Sequence, residues 1–467
     1  MKKIISHIEV LSKDEIQMIH DGSLEILEST GLKVPHLETL KRCEEAGAIV
    51  DYDKEMIRIP RAVIENLLDK NKNKAPSLNE NVLQKKTNSL STQSTLLDYG
   101  TGKRRDGVID DVYKGICLVD QMETFQTTSS VVVPHDVPYK LTDLVASHAL
   151  LSYAKKEGGT HILTAHSCKY ILEMYKVLGR EYTGFLGTVS PLQFSKESLE
   201  IAQVFVEYGF PIGLGSMVMA GSTGPVTVAG TLALSNAEIL ASIYVVYALS
   251  GKIIDHYPNI SHSMDMRSMI CSFGSPNQAL FAVATAQLAK FYGLQGSSNS
   301  GLTDSLFPDF QGGMEKALTS MFGLLSGLGG TGAMGIVGAD QGASFEQIVL
   351  DNEMYKWVNY IAEGIEVTEE TLAIDIIKKV GCGGHYLLEE HTVTHMRDNL
   401  IYSKLFCREA FEDDSYSETL YMRAHQMVEE LTQGYKDMEP SVSATTYDEL
   451  TRIMSEGKKD IMGLDGV

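Results

Sequence analysis

The sequence predicts an α/β protein: a TIM (β/α)8 barrel with helical additions at both ends. Three observations lead there. From about residue 120 to 365, apolar or small-residue stretches alternate with long amphipathic ones, and strands that alternate with helices pair in parallel through right-handed crossovers. Seven or eight such units in about 270 residues suit a barrel better than an open doubly wound sheet. No GxGxxG follows the first strand, so the usual mark of a dinucleotide-binding sheet is missing.

The elements follow in order. Residues 1–95 read as a mostly helical region. Ser12, ahead of Asp14 and Glu15, opens a helix that ends near Gly31. HLETLKRCEEAGA and PRAVIENLLDKN have helical apolar spacing. The polar stretch KNKAPSLNENVLQKKTNSLSTQ reads as a linker or an exposed hairpin, and LLDYGTGKRRDGVID as strand–turn–strand around Gly100 and Gly102. Residues 96–365 form the predicted barrel domain. Its strands are TFQTTSSVVVP, THILTAHS, TGFLGTVSPL, PIGLGSMVMAG, KIIDHYPNIS, LQGSSNSG and TGAMGIVGA, with HYLLEEHTVTHM as a weaker eighth. Residues 366–467 are again helical and expected to pack on the barrel.

Composition narrows the function. The chain has 467 residues, 43% hydrophobic and 22% charged, with a net charge of −21. A nucleic-acid binder draws its affinity from a basic surface, so that class is excluded. The six cysteines form no CxxC pair and no disulfide framework, which predicts a reducing, cytoplasmic setting. MKKIISHIEVLSKDE turns charged too early for a signal peptide. No apolar run of membrane-spanning length occurs, so no membrane is expected.

A barrel carries its active site where strands run into helices. The stretch GLQGSSNSGLTDSLFPD is unusually long and polar for such a connection. Candidate catalytic residues are Asp304, Asp340 and Gln341. Candidate substrate-binding residues are Tyr99, His135, His256, Tyr257, Arg267, Asn299, Phe307, Phe310 and Gln311. Each has an ordinary alternative. Asp304 and Asp309 could cap helices, and His135 and His256 could bond loop carbonyls. Tyr257 and Phe307 could plug the barrel, and Arg267 could pair with Asp265 or Asp309. GxSxG elbows and P-loops are absent. Cys382 and His385 lack a third ligand at zinc spacing, and HTVTH lacks the Glu of HExxH, so no metal is assigned.

Several long stretches carry a resemblance. GPVTVAGTLALSNAEILA, DMRS, FGSPNQALFAVATAQLAKFYGL, GLTDSLFPDFQGGMEKAL, SFEQIVLDNE and GIEVTEETLAIDIIKKVGCGGHYL resemble the trimethylamine methyltransferase family, and GLKVPHLETLKRCEEAGAIVD fits it too. The resemblance spans most of the chain. It implies a TIM barrel that passes a methyl group from a methylated amine to the Co(I) corrinoid of a small partner protein, with no tightly bound cofactor of its own. The archaeal trimethylamine enzymes carry pyrrolysine near the region that here reads GIVGADQGASFEQ, where only standard residues stand. Relatives without it use quaternary amines such as glycine betaine, proline betaine, carnitine or butyrobetaine. The resemblance therefore implies a quaternary amine as substrate, a corrinoid protein as partner and possible self-association. Such a cation has no N–H to donate, so aromatic faces and carboxylates must recognise it. Tyr257, Phe307 and Phe310 are the expected cage, with Tyr99 a weaker candidate. Arg267, His256, His135, Asn299 and Gln311 are candidate donors to a betaine carboxylate. Two other readings stay open: a non-catalytic betaine-binding protein, and a zinc-dependent corrinoid methyltransferase with another methyl donor.

Overall fold

A computed structural model describes residues 7–74, 87–328, 330–408 and 418–463. The polar stretch read as a linker or hairpin lies largely outside them, as does part of the acidic tail.

The first helix, α1 (Lys13–Ser29), begins as its sequence asks. Ser12 accepts from the Glu15 backbone, Glu15 reaches back to the Ser12 N–H, and Gly31 ends the helix at φ +76°. The N-terminal region is less helical than expected. It also holds a small antiparallel sheet, Leu32–Lys33, Met56–Arg58 and Ile49–Asp51. Strand–turn–strand 95–106 appears as read: β2 (Thr95–Asp98) pairs antiparallel with β3 (Lys103–Asp106).

The alternation is a mixed α/β fold. Parallel strands β6 (His256–Asn259), β7 (Gln295–Ser298), β8 (Gly330–Met334) and β1 (Thr87–Leu90) follow one another in one sheet. Parallel β4 (Gly184–Gly187) and β5 (Ile212–Gly215) form another. Single parallel bridges extend the succession at Ser216–Asn259, Gln93–Val132 and Thr128–Gly158. Among the described residues no ladder joins 158 to β4, so a closed barrel is not found. Across that gap, the Tyr182 hydroxyl donates to the Thr160 carbonyl at 2.6 Å. TFQTTSSVVVP contributes the bridges at Thr128 and Val132 rather than a full strand, while THILTAHS forms no strand and its end enters helix α2 (Ala165–Leu178). HYLLEEHTVTHM is a turn followed by helix α7 (Glu390–Asn399), not a strand.

The helices on the strands are α3 (Val228–Ser250), α4 (Pro276–Tyr292), α5 (Phe310–Leu325) and α6 (Phe345–Glu363). Helix α3 is the one described helix long and apolar enough to cross a membrane, and 72% of its apolar window is buried inside the fold. Its Glu238 accepts from Thr188, Ser190, Ser216 and the Leu192 N–H, so a buried carboxylate braces the ends of β4 and β5. The N-terminal region shares this core: Tyr244 of α3 donates to the Cys43 carbonyl, and Ser23 to that of Ala233. At the other end, α8 (Leu420–Leu431) and α9 (Ala444–Gly463) bury Val428 and Ile453 in the two main cores.

Candidate functional site

The polar connection after β7 is shaped first by packing. A Cβ on Gly296 would stand 2.9 Å from Leu328. Gly301, at φ +81°, lies where a Cβ would meet the Ser320 and Tyr355 hydroxyls. Small residues at Gly296 and Gly301 thus let the chain lie close against its helices. Lys316 of α5 is fully buried. It donates to the Gly301 carbonyl at 2.9 Å and to Asp351 of α6 at 3.0 Å, and Asp351 accepts the Gly335 N–H at 2.7 Å. One buried ion pair therefore ties the connection after β7 to that after β8.

The second connection is strained. Gly338, Ala339 and Asp340 are successive left-handed residues at φ +66°, +52° and +61°. A non-glycine residue there costs about 1–2 kcal/mol. Backbone bonds hold the turn: Gly338 N–H to the Ser305 carbonyl at 2.6 Å and Ala339 N–H to that of Thr303 at 2.9 Å. Asp340 is thereby aimed at Gln93, whose Nε2 donates to its Oδ1 at 2.6 Å. Asp340 and His161 are both solvent-exposed, yet neighbouring protein partly desolvates each. Desolvation raises the Asp340 pKa above the usual carboxylate range, against the pull of Gln93 and His161. It likewise lowers the His161 pKa, against the pull of Asp340. Beside the turn, Arg104 of β3 donates to Gln341 Oε1 at 2.8 Å, Thr95 donates to the Gln341 carbonyl, and the buried Nη2 of Arg104 has no partner.

The strand faces sort the remaining candidates. Side chains alternate across a strand, and Gly184, Tyr257 and Gly296 all face the helices. Their neighbours Phe185, His256 and Ser297 therefore face the opposite side of the strands. Phe185 is 51% exposed there, with its ring across Gly187 and Gly215. His256 Nε2 lies 2.8 Å from Ser297 Oγ, and burial lowers its pKa. Tyr257 is fully buried, donating to Asn236 of α3 at 2.7 Å. Its ring packs against the helices and reaches no solvent, so the expected cage role does not fit its position.

Other expectations also change place. Asp304 accepts from Ser272 Oγ at 2.7 Å and the Phe273 N–H at 2.6 Å, which makes it a brace between loops. Asp309 caps α5 through the Gly312 N–H at 2.9 Å. Phe310 is 84% exposed, in a row with the exposed Met314 and Leu318 on the solvent side of α5. Phe307 is partly exposed beside the β2–β3 turn at Gly102. Tyr99 stacks on His425 of α8 at 3.5 Å, and His425 sits 2.8 Å from the buried Glu346. Arg267 is 93% exposed and pairs with Asp265 at 3.4 Å. His135 Nε2 lies 3.0 Å from the Ser94 carbonyl. Gln311 donates to Glu315 at 2.8 Å, and Asn299 offers its carbonyl to Gln278 at 2.6 Å. Asp340 and Gln341 share one strained turn. Gln93, His161, Arg104 and Phe185 were not singled out by sequence. Among the described residues no group of three His, Cys, Asp or Glu side chains is placed to hold a metal.

Comparisons with known proteins identify relatives of the chain. The family model for trimethylamine methyltransferase (MTTB) matches residues 1–462. The trimethylamine methyltransferase MttB of Desulfitobacterium hafniense is 29% identical over 407 residues, 83% of this chain and 81% of that protein. A glycine betaine methyltransferase from another strain of that species is 27% identical over 433 residues, 88% of this chain and 89% of that protein. The crystal structure of the Methanosarcina barkeri monomethylamine methyltransferase aligns with 98% of this chain and 96% of its own, at 10% identity and a TM-score of 0.48.

Proposed function

The chain belongs to the trimethylamine methyltransferase family, and from that premise we propose that it takes a methyl group from a quaternary amine. The donor is a small betaine such as glycine betaine, proline betaine or carnitine, and the acceptor is the Co(I) corrinoid of a partner protein. The glycine betaine methyltransferase relative supports this donor class. The observation that carries the reading is Asp340, a solvent-reaching carboxylate held in a strained left-handed turn with one neutral hydrogen-bond donor. Backbone strain that the surroundings impose on a solvent-reaching carboxylate is a signature of a working site.

The chemistry suits these groups. A quaternary nitrogen keeps its positive charge at any pH and offers no N–H. Asp340 supplies the counter-charge, and Gln93 fixes its orientation. Phe185 and Phe307 are proposed as aromatic faces, worth roughly 0.5–2 kcal/mol each by cation–π contact. When the C–N bond breaks, its electron pair stays on nitrogen and a neutral tertiary amine leaves. No proton is transferred, so the site needs no acid. Its task is to aim one N–CH3 bond and exclude water, and orientation of that kind can supply about 7–11 kcal/mol of barrier reduction. The corrinoid is a co-substrate that its partner brings. A closed barrel, a cytoplasmic setting and the division at residues 95 and 365 belong to the same proposal.

Asp340→Asn tests it. The variant removes the charge and keeps the shape. Calorimetry with glycine betaine, proline betaine and carnitine is expected to show the wild-type ligand bound ten- to a hundredfold more weakly, about 1.4–2.8 kcal/mol. Unchanged affinity would remove Asp340 from the site.

A further inference from the structure

We propose that Arg104 is a positioning residue, whose forked guanidinium holds the turn 338–341 in the path that presents Asp340 to the cation of the substrate. This rests on the reading of Asp340 as counter-charge and names what keeps that carboxylate in place.

The turn is the tip of a hairpin. Ile336–Val337 pairs antiparallel with Gly342–Ala343, and Ala343 pairs parallel with Leu96 of β2. Strand β3, which carries Arg104, is the next strand of the same sheet. From there the guanidinium meets the turn at both ends. Its Nη1 donates to Gln341 Oε1 at 2.8 Å. Its Nη2 covers Gly338 so closely that a Cβ there would collide with it, and a Cβ on Gly342 would stand 3.6 Å from Nε. A planar fork grips two points with one rigid group, which the single ammonium of a lysine does not.

The arrangement is costly. Neighbouring Arg105 binds both carboxylate oxygens of Asp111 at 2.7 Å. Arg104 has no such partner among the described residues: burial lowers its pKa with no anion to offset it, and its buried Nη2 makes no hydrogen bond. A buried donor without a partner is destabilising. It lies against three successive left-handed residues, a second unfavourable feature. Two such features in contact, where a relaxed turn would serve the fold, point to a functional constraint. The titratable groups that interact electrostatically with Asp340 are His161 and Cys271. Arg104 is not among them, so it acts through the shape of the turn rather than through its charge.

Calorimetry across pH 4–8 tests this, with whichever of glycine betaine, proline betaine and carnitine the wild type binds most tightly. Arg104→Ala is expected to bind it roughly tenfold more weakly at pH 7, the size of one charge-assisted hydrogen bond. The pH midpoint of its affinity is expected to move down toward the ordinary aspartate value near 3.9, because a released carboxylate regains water. Arg104→Lys keeps the charge and loses the fork, so it is expected to follow Arg104→Ala. Gly338→Ala displaces the guanidinium and is expected to weaken binding alone. In the Arg104→Ala background nothing is left to displace, so the two effects are expected to fall short of multiplying by at least about threefold. If Arg104→Ala does not fold, Arg104→Lys and Gly338→Ala carry the same comparison. A lower Tm with an unmoved midpoint makes Arg104 a structural brace only and overturns the proposal. So does an Arg104→Lys variant with wild-type affinity, or a pair of effects that simply multiply. If Asp340→Asn leaves affinity unchanged, the counter-charge reading falls and this inference with it. If Asp340→Asn loses affinity while Arg104→Ala keeps both affinity and midpoint, this inference alone fails.

Discussion

Asp340 carries a charge that its surroundings resist. Its folded pKa is raised by desolvation, so the ionised form is disfavoured until a cation enters. Binding a quaternary amine pulls that pKa back down and releases a proton when the pH lies near it. Betaine affinity is therefore expected to fall with decreasing pH, with a midpoint above the usual aspartate range near 3.9. Calorimetry across pH 4–8, in buffers of differing ionisation heat, reads both effects; a flat profile would speak against Asp340 as counter-ion. At this scale the sequence was partly legible. Asp340 and Gln341 stand out because they follow a glycine-rich strand end. His161 lies inside THILTAHS, a stretch read as a strand, and nothing in its local pattern marks it. Tyr257 misled for a different reason. A residue's place along a strand does not say which face it occupies, and a shift of one position reverses it.

The connections between elements depend on one buried ion pair. Lys316 is on α5 and Asp351 on α6, and together they hold the backbone at Gly301 and Gly335. Removing one partner leaves a buried charge uncompensated, so Lys316→Ala is expected to destabilise the fold by about 3–5 kcal/mol in urea unfolding. A loss under 1 kcal/mol would mean that the pair is dispensable. Little in the sequence marks this pair, because Lys and Asp in amphipathic helices read as solvated faces. Caps were easier: Ser12 with Glu15 and Asp309 with Gly312 follow local rules that need no tertiary context. The strand–helix alternation was legible for the same reason. Whether the strands close a barrel was not, since closure turns on a few ladder bonds between 158 and β4.

Across the whole molecule, buried histidines set a limit on acid stability. His148 and His262 are held near pKa 4 by burial. An unfolded histidine titrates near 6.5, so between about pH 6.5 and 4 the unfolded chain binds more protons than the folded one. Stability is thus expected to fall as the pH drops through that window, and Tm measured from pH 7 to 4.5 checks it. A Tm that holds constant to pH 4.5 would contradict those neutral, buried rings. Segment 365–402 shows the limit of sequence at this scale. EVTEETLAIDIIKKVG has the same amphipathic pattern whether its apolar side packs on the rest of the chain or, as here, is left unburied. The central claim, methyl transfer from a quaternary amine, is tested most directly by following the conversion of cob(I)alamin to methylcobalamin spectroscopically. The panel is glycine betaine, proline betaine, carnitine, butyrobetaine and trimethylamine. Methylcobalamin is expected with at least one quaternary amine and not with trimethylamine. Methylation from trimethylamine alone, or from none of the five, would contradict the account.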